Sequence, residues 1–275
     1  MNQILPPLLL IGGGKMGSAM LSGWLEQGVS QVAVIDPSPA AQKLAGPRVA
    51  VYDRFDLLPP DFRPKALILA VKPQVAATVL PAYQLIAGGA LAISIMAGIT
   101  IADLQNMLGL AASIVRAMPN TPAAIRQSIT VATAQPGALS NNQRDLATRL
   151  LASVGDVAWV EDESLIDPIT AVSGSGPAYV FLLAECLEQA AIGQGVPPDL
   201  ARRLARQTIT GSGNLLAASA ESAAALRENV TSPGGTTAAA VAVLLKAFPT
   251  AVNAAIAAGT ARSRELSATA PSPGR

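Results

Sequence analysis

Five short apolar runs punctuate the first half of the chain: Leu8–Ile11, Val32–Ile35, Ala66–Val71, Ala90–Ile95 and Ile114–Ala117. Each has the length of a strand and lacks the in–out alternation of a half-solvated sheet, so each predicts a strand buried on both faces. Amphipathic stretches separate several of them, such as Met16–Gln27 and Pro73–Leu80. That alternation predicts βαβ units and a parallel sheet with helices on both sides. Ile129–Ala134 and Val157–Val160 read as further strands, with a helical Asn141–Ser153 between them. After about Glu161 the strand runs stop and Ala-rich helical stretches take over. One opens at Ser175-Gly176-Pro177, where proline in the first turn forgoes an N–H that the helix leaves unpaired anyway, and ends near Gly193–Gly195. Another opens at Pro197-Pro198-Asp199 and runs past Gln207, and a third follows the turn Thr231–Gly235. No repeat is read, and Ser267–Arg275 reads as a frayed tail. The pattern predicts an α/β domain over 1–160 and an all-helical domain over 161–275.

Composition adds an interface to this picture. The chain has 275 residues, and only 13% are charged against about 25% in ordinary globular domains. A hydrophobic share of 51% fits an oligomer with apolar contact surfaces. Nineteen basic and 18 acidic residues leave a net charge of +1 without basic or acidic tracts, so no nucleic-acid partner is expected. The mean hydropathy of +0.41 calls for a membrane test. Pro73–Ala102 carries no charge and exceeds the roughly 20 residues of a span. Gln74, Pro81, Gln84, Gly88-Gly89 and Gly98 interrupt it, so it reads as loop, helix and buried strand, and no membrane span is expected. The first charge is Lys15, so the N-terminus lacks the cationic start of a signal peptide.

Histidine is absent. That excludes Ser-His-Asp and Cys-His catalysis, His-ligated metals and dehydrogenases whose acid is a histidine. The single Cys186 excludes an internal disulfide and any cysteine-cluster metal site, so no metal is expected. It reads as a buried thiol on a helix, in a chain of the reducing cytoplasm.

Candidate chemistry begins at Gly12-Gly13-Gly14-Lys15-Met16-Gly17, which fits G-x-G-x-x-G after an apolar strand and at the start of a helix. Gly12 permits the tight turn, Gly14 the approach of a pyrophosphate, and Gly17 close packing of helix on strand. The free N–H groups and dipole of the helix start then bind the phosphates. A P-loop is excluded, since Met16 stands where Ser or Thr should be and Leu9 where the first Gly should be. The first domain is therefore read as a Rossmann-type dinucleotide-binding domain. Asp36 ends the second strand, where an acid holds the ribose hydroxyls of NAD and repels the 2′-phosphate of NADP. Asp36 also suits the turn Asp36-Pro37-Ser38-Pro39, and Ser38 with Lys43 and Arg48 offers a hydroxyl and cations to a phosphate, so both NAD and NADP stay open. Loops at Lys72-Pro73, Ala97-Gly98 and Pro119-Asn120-Thr121-Pro122 follow strand ends, where open α/β sheets bind ligands. In the helical half, Thr231-Ser232-Pro233-Gly234-Gly235-Thr236-Thr237 precedes a helix. The N–H groups of Gly235, Thr236 and Thr237 would cradle a small carboxylate there, and a Thr hydroxyl could donate to a reacting nitrogen. Ser173-Gly174-Ser175-Gly176-Pro177 reads as a second hydroxyl-rich tight turn.

Together these pieces resemble the pyrroline-5-carboxylate reductase family. The resemblance is carried by Ile11–Gly17, Ala70–Pro73, Ala97–Thr100, Arg116–Ala123, Val172–Phe181 and Asn229–Thr237, in the family's order, and reaches about Leu266. It implies a Rossmann domain followed by a helical dimerisation domain, in a homodimer or larger homo-oligomer with the active site at the dimer interface. It implies NADPH or NADH as hydride donor and a cyclic imino acid, 1-pyrroline-5-carboxylate, as substrate. Coenzyme roles carried by the resemblance fall on the Gly12–Gly17 loop, Ser38, Val71-Lys72, Ala97 and Asn229, and the reading of the strand ends adds Asp36, Ala70 and Pro73. Substrate roles fall on Glu163, Ser232, Gly234, Gly235, Thr236 and Thr237, and Thr237 is the catalytic donor to the ring nitrogen. The alternatives are a reductase of a related cyclic imine and a non-catalytic NAD(P)-sensing protein. Two departures stand out: many members carry His-Pro-Gly after the glutamate matching Glu221, where this chain has Ser222-Ala223-Ala224, and Asp36 is unusual beside Ser38, which leaves the NADPH preference open.

Overall fold

The computed structural model describes residues 4–269. Eight strands form one sheet: β1 Leu8–Ile11, β2 Val32–Ile35, β3 Val49–Tyr52, β4 Ala66–Leu69, β5 Leu91–Ser94, β6 Ser113–Met118, β7 Ser128–Thr133 and β8 Gly155–Trp159. Their order is β3-β2-β1-β4-β5-β6-β7-β8. Strands β1 to β6 are parallel, β7 is antiparallel to β6, and β8 runs parallel to β7. The order reverses between β1 and β4, and such a switch point opens a crevice at the strand ends. The all-apolar strands are buried on both faces as expected, β1, β2 and β4 completely.

Helices α1 Lys15–Glu26 and α5 Asn141–Leu151 cover one face through Met20, Leu21, Trp24, Leu150 and Leu151. The Trp24 indole N–H donates to Leu150 O at 2.9 Å, tying the two helices. The other face packs under α2 Ala76–Val79, α3 Gln84–Ala87 and α4 Ile101–Leu108. Capping boxes at Thr100/Asp103 and Ser140/Gln143 start α4 and α5, each cap contributing about 1 kcal/mol. Pro73–Leu80, expected as one helix, is a chain of single turns: 3₁₀ at Pro73–Val75, then α2, 3₁₀ at Leu80–Tyr83, then α3. Pro81 supplies no N–H, so a regular ladder cannot pass it. Strand β3 was not foreseen. Only Val49 of its four residues is fully buried, so it lacks the apolar signature of the inner strands.

Beyond β8 the chain forms a 3₁₀ turn Glu163–Leu165, α6 Ile166–Ile169, a π-helical turn Thr170–Gly174 and α7 Gly176–Gly193. The expected helix start at Gly176-Pro177 is present, preceded by a bend at Ser175, whereas Ser173-Gly174 belong to the π-helical turn rather than to a tight turn. A Cβ at Gly174 would come 2.8 Å from Met118 Cε, the far end of a flexible side chain. Helices α8 Pro198–Ala218, α9 Ala223–Asn229 and α10 Thr236–Ala268 follow. Ser222 caps α9 by accepting the Ala225 N–H at 3.2 Å, so the residues replacing His-Pro-Gly start a helix. Of the expected tail, Ser267 and Ala268 are helical, and 270–275 lie outside the described residues.

Ser175–Ala258 forms one compact unit, and the described residues on either side form the other. This division falls later than the 160/161 boundary read from the sequence. The physical reason is that 163–174 packs with the sheet: Ile166 and Ala171 are buried, and the Asn120 side chain donates to Ser173 O at 3.0 Å. The end of α10 belongs there too, with Ser263 Oγ donating to Asp167 Oδ1 at 2.7 Å. Within the second unit α7 packs on α8, yet among its described residues only Ala201 and Ala205 are buried apolar residues. Cys186, expected inside, is exposed on α7. Two helical runs, Glu163–Gly193 and Thr236–Ala268, are long and apolar enough to cross a membrane by length and composition.

Candidate functional site

The glycine loop is built around one close approach and one open space. Gly12 has φ +100°, and a Cβ there would sit 2.6 Å from Ala70 O. A Cβ on Gly17 would collide with Gly12 O. Both are therefore steric requirements of the strand–helix turn. A Cβ on Gly14 would meet nothing within 4 Å. Gly14 is the N-cap of α1, no side chain caps it, and the first turn holds no acid. The orphan N–H groups and positive dipole end thus face open space, which is where a pyrophosphate fits.

That space belongs to a cleft of about 590 Å³ lined by Gly12, Gly14, Asp36, Ala70, Val71 and Lys72. The structure thus brings together residues from the ends of β1, β2 and β4. Gly13 joins them through its N–H, which donates to Asp36 Oδ2 at 2.6 Å. Lys15 is exposed, and Met16 packs against the core. Pro73 opens the 3₁₀ turn capped by Lys72. Asp36 is both turn former and loop partner, since its Oδ1 accepts the Ser38 N–H at 2.8 Å. Ser38 Oγ accepts the Ala40 N–H at 3.3 Å, capping the 3₁₀ helix Pro39–Leu44. Arg48, offered by the sequence as a phosphate partner, is turned away: its guanidinium donates to Val29 O and Leu25 O.

Several wall residues were missed. Asp53, Arg54, Phe55, Val79 and Tyr83 also line the cleft. The Phe55 and Tyr83 rings meet edge to face at 4.8 Å, and burial pushes the Tyr83 phenol up to about 12, so it stays neutral. A signal for part of this wall was present: Val49-Ala50-Val51-Tyr52-Asp53 echoes Val32-Ala33-Val34-Ile35-Asp36.

The other strand-end loops differ. Ala97 is exposed and lies outside the lining of this cleft, beside Gly98 at φ +73°. Asn120 serves the fold, since its Oδ1 accepts from Ser128 Oγ and the Ile129 N–H. Glu163 Oε1 accepts from the buried Arg116 at 2.8 Å and from the Ile101 N–H at 2.9 Å. Glu163 lies in the first unit, whereas Thr236 and Thr237 lie in the second.

In the second unit, Gly234 takes φ +72° and Gly235 N–H donates to Ser232 O at 3.0 Å. The Gly235 N–H, expected free, is thus spent on the turn. Ala239 N–H donates to Gly235 O, so the open N–H groups of α10 are those of Thr236, Thr237 and Ala238, one residue further on. Among the described residues the Thr237 hydroxyl has no hydrogen-bond partner, and the residue is half-buried. Ser232 is exposed. Asn229 ends α9, and its amide donates to Glu221 at 3.2 Å.

One helix start open to an anion lies at the switch point, and a second carries the free Thr237 hydroxyl. A family model described as pyrroline-5-carboxylate reductase dimerisation matches residues 163–266. One described as NADP oxidoreductase coenzyme F420-dependent matches residues 8–98. The chain is similar to the pyrroline-5-carboxylate reductase of Haemophilus influenzae, at 37% identity over 94% of this chain and 97% of that one. It is equally similar to that of Pseudomonas aeruginosa, at 37% over 95% and 97%. Among solved structures, the pyrroline-5-carboxylate reductase of Coxiella burnetii gives a TM-score of 0.85 at 33% identity, covering 94% of this chain and 98% of that one. The Plasmodium falciparum pyrroline carboxylate reductase with NADP bound gives 0.81 at 28%, covering 97% and 99%. The chain belongs to the pyrroline-5-carboxylate reductase family.

Proposed function

We propose that this protein reduces 1-pyrroline-5-carboxylate to L-proline with a reduced nicotinamide coenzyme. The observation that carries this is the pair of uncapped helix starts: α1 beside Gly14 and α10 with the free Thr237 hydroxyl. The coenzyme, when bound, supplies hydride to the imine carbon. The chain's own residues then position and polarise. The Gly12–Gly17 loop and the α1 N–H groups hold phosphates, and Ala70, Val71, Lys72 and Pro73 border the nicotinamide half, with Lys72 adding positive charge. Ala97 and Asn229 complete the coenzyme set. The Thr236–Ala238 N–H groups hold the substrate carboxylate, with Ser232, Gly234 and Gly235 shaping the turn. Thr237 Oγ donates to the ring nitrogen as hydride adds to the neighbouring carbon and the nitrogen regains its lone pair. A cyclic imine is basic enough to arrive partly protonated near neutral pH, so a chain without histidine needs no strong acid.

The functional boundary is placed at 160/161, supported by the dimerisation match from residue 163. The protein acts as a homodimer or larger homo-oligomer, and its one exposed thiol suits a reducing cytoplasm. The test is loss of reduced-nicotinamide absorbance with the five-membered imine and with its six-membered homologue. Faster reduction of the five-membered ring is expected. Preference for the larger ring moves the substrate to a related imine, and coenzyme binding without reduction of either makes the protein a sensor.

A further inference from the structure

Two strands that end alike frame one corner of the coenzyme cleft. Strands β2 and β3 pair in parallel with Val32 opposite Val49 and Ile35 opposite Tyr52. Asp36 and Asp53 therefore leave neighbouring strands at the same level, and the Asp36 N–H donates to Tyr52 O at 3.0 Å. Both aspartates line the cleft, and Asp53 Oδ1 accepts from the Gln42 side-chain amide at 3.2 Å, leaving Oδ2 for a further donor. Asp36 is fixed against the glycine loop by the Gly13 N–H at 2.6 Å and by the Ser38 N–H at 2.8 Å, one on each oxygen. A carboxylate oxygen has two acceptor directions, so each keeps one for a further donor.

Of Arg48, Lys43 and Arg54, the cations near this corner, only Arg54 lines the cleft. Arg48 donates to Val29 O and Leu25 O. Arg54 makes an exposed pair with Asp56 at 2.9 Å, so a third carboxylate stands beside this one cation. Lys43 is exposed and lies outside the lining. The Ser38 hydroxyl accepts the Ala40 N–H and keeps its own proton, a neutral donor that serves a ribose hydroxyl or a phosphate alike. A ribose diol brings two hydroxyl donors to this acidic corner, whereas a 2′-phosphate brings like charge.

We infer that this chain prefers NADH to NADPH, with Asp36 the residue that sets the preference and Asp53 reinforcing it. The inference rests on the coenzyme site proposed above and narrows its coenzyme to one. It sets this chain apart from the Plasmodium falciparum relative, whose structure has NADP bound.

The test is a titration of the full-length protein with NADH and with NADPH in the absence of imine, read by nicotinamide fluorescence. The wild-type Kd for NADH should be lower by roughly tenfold or more, a difference of about 1.4 kcal/mol. Asp36→Asn should move the ratio toward NADPH by about the same factor. Because Asp36 also anchors the loop, Asp53→Asn is the second variant. It leaves the Gly13 and Ser38 bonds intact and should shift the ratio the same way by a smaller factor. Equal binding, tighter NADPH binding, or a ratio unmoved by both substitutions overturns the inference. NADH preference without imine reduction would refute the proposed reaction and leave this inference standing. Failure to bind either coenzyme would remove both.

Discussion

At the glycine loop, three residues of one type answer different demands. Gly12 and Gly17 are fixed by collisions with Ala70 O and Gly12 O. Gly14 meets nothing, and its φ of −66° with ψ of −172° is open to any residue. Gly14→Val should therefore fold, losing about 1 kcal/mol or less at the cap, and lose coenzyme affinity because the side chain fills the phosphate space. Gly17→Ala should cost about 1–3 kcal/mol through overpacking. Thermal midpoints with and without coenzyme separate the two, and a Gly14→Val protein still stabilised by NADH would refute the phosphate role. The same logic applies to Thr237, whose hydroxyl is free of any capping bond. Thr237→Ser keeps the donor and should retain most activity. Thr237→Val should lower kcat/KM by one to two orders of magnitude, or about 1.5–3 kcal/mol. A Val variant with wild-type kinetics and a lowered Tm would make Thr237 a structural residue.

Between elements, the Arg116–Glu163 pair joins β6, the start of α4 and the segment after β8. Arg116 has 4% of its side chain exposed, so removing its partner strands a buried charge. Glu163→Gln should destabilise the protein by about 3 kcal/mol, read by urea unfolding. If Glu163 holds substrate, as the resemblance implies, the substitution should instead raise KM at an unchanged midpoint. Elements of this kind show what the sequence makes legible. The inner strands, the glycine loop and the α10 start carry local signatures, in burial on both faces or in turn chemistry. Strand β3 escaped because an edge-side strand is only half-buried, although its echo of β2 was readable. The Arg116–Glu163 bond spans 47 residues and the Gly13–Asp36 bond 23. Such pairings depend on how the sheet brings strand ends together, which no local pattern encodes. The Ser173–Gly174 region misled for the opposite reason: glycines and serines spell a turn, but both residues continue the preceding helical turns, with Ser173 Oγ donating back to Ile169 O at 3.1 Å.

For the whole molecule, low charge and exposed apolar helices have one consequence. In the second unit Phe181 is 67% exposed, Val243 67% and Leu244 56%. Soluble monomers rarely leave such side chains open together, since large apolar patches mark interfaces. A lipid surface and a second copy would both cover it. Charge distinguishes them: α7 carries Glu185 and Glu188, and α10 carries Lys246, Arg262, Arg264 and Glu265. Each charge at mid-bilayer costs about 2.5 kcal/mol or more on insertion scales, whereas an oligomer leaves such groups at a wet rim. The apolar faces should therefore close on another copy. Sedimentation velocity should show a dimer or larger species down to micromolar protein, without detergent. Phe181→Asp with Leu244→Asp should shift it toward monomer and abolish imine reduction. Because the glycine loop lies in the other unit, coenzyme binding should survive in the same variant. A stable, active wild-type monomer, or a chain that floats with lipid vesicles, would overturn the assembly.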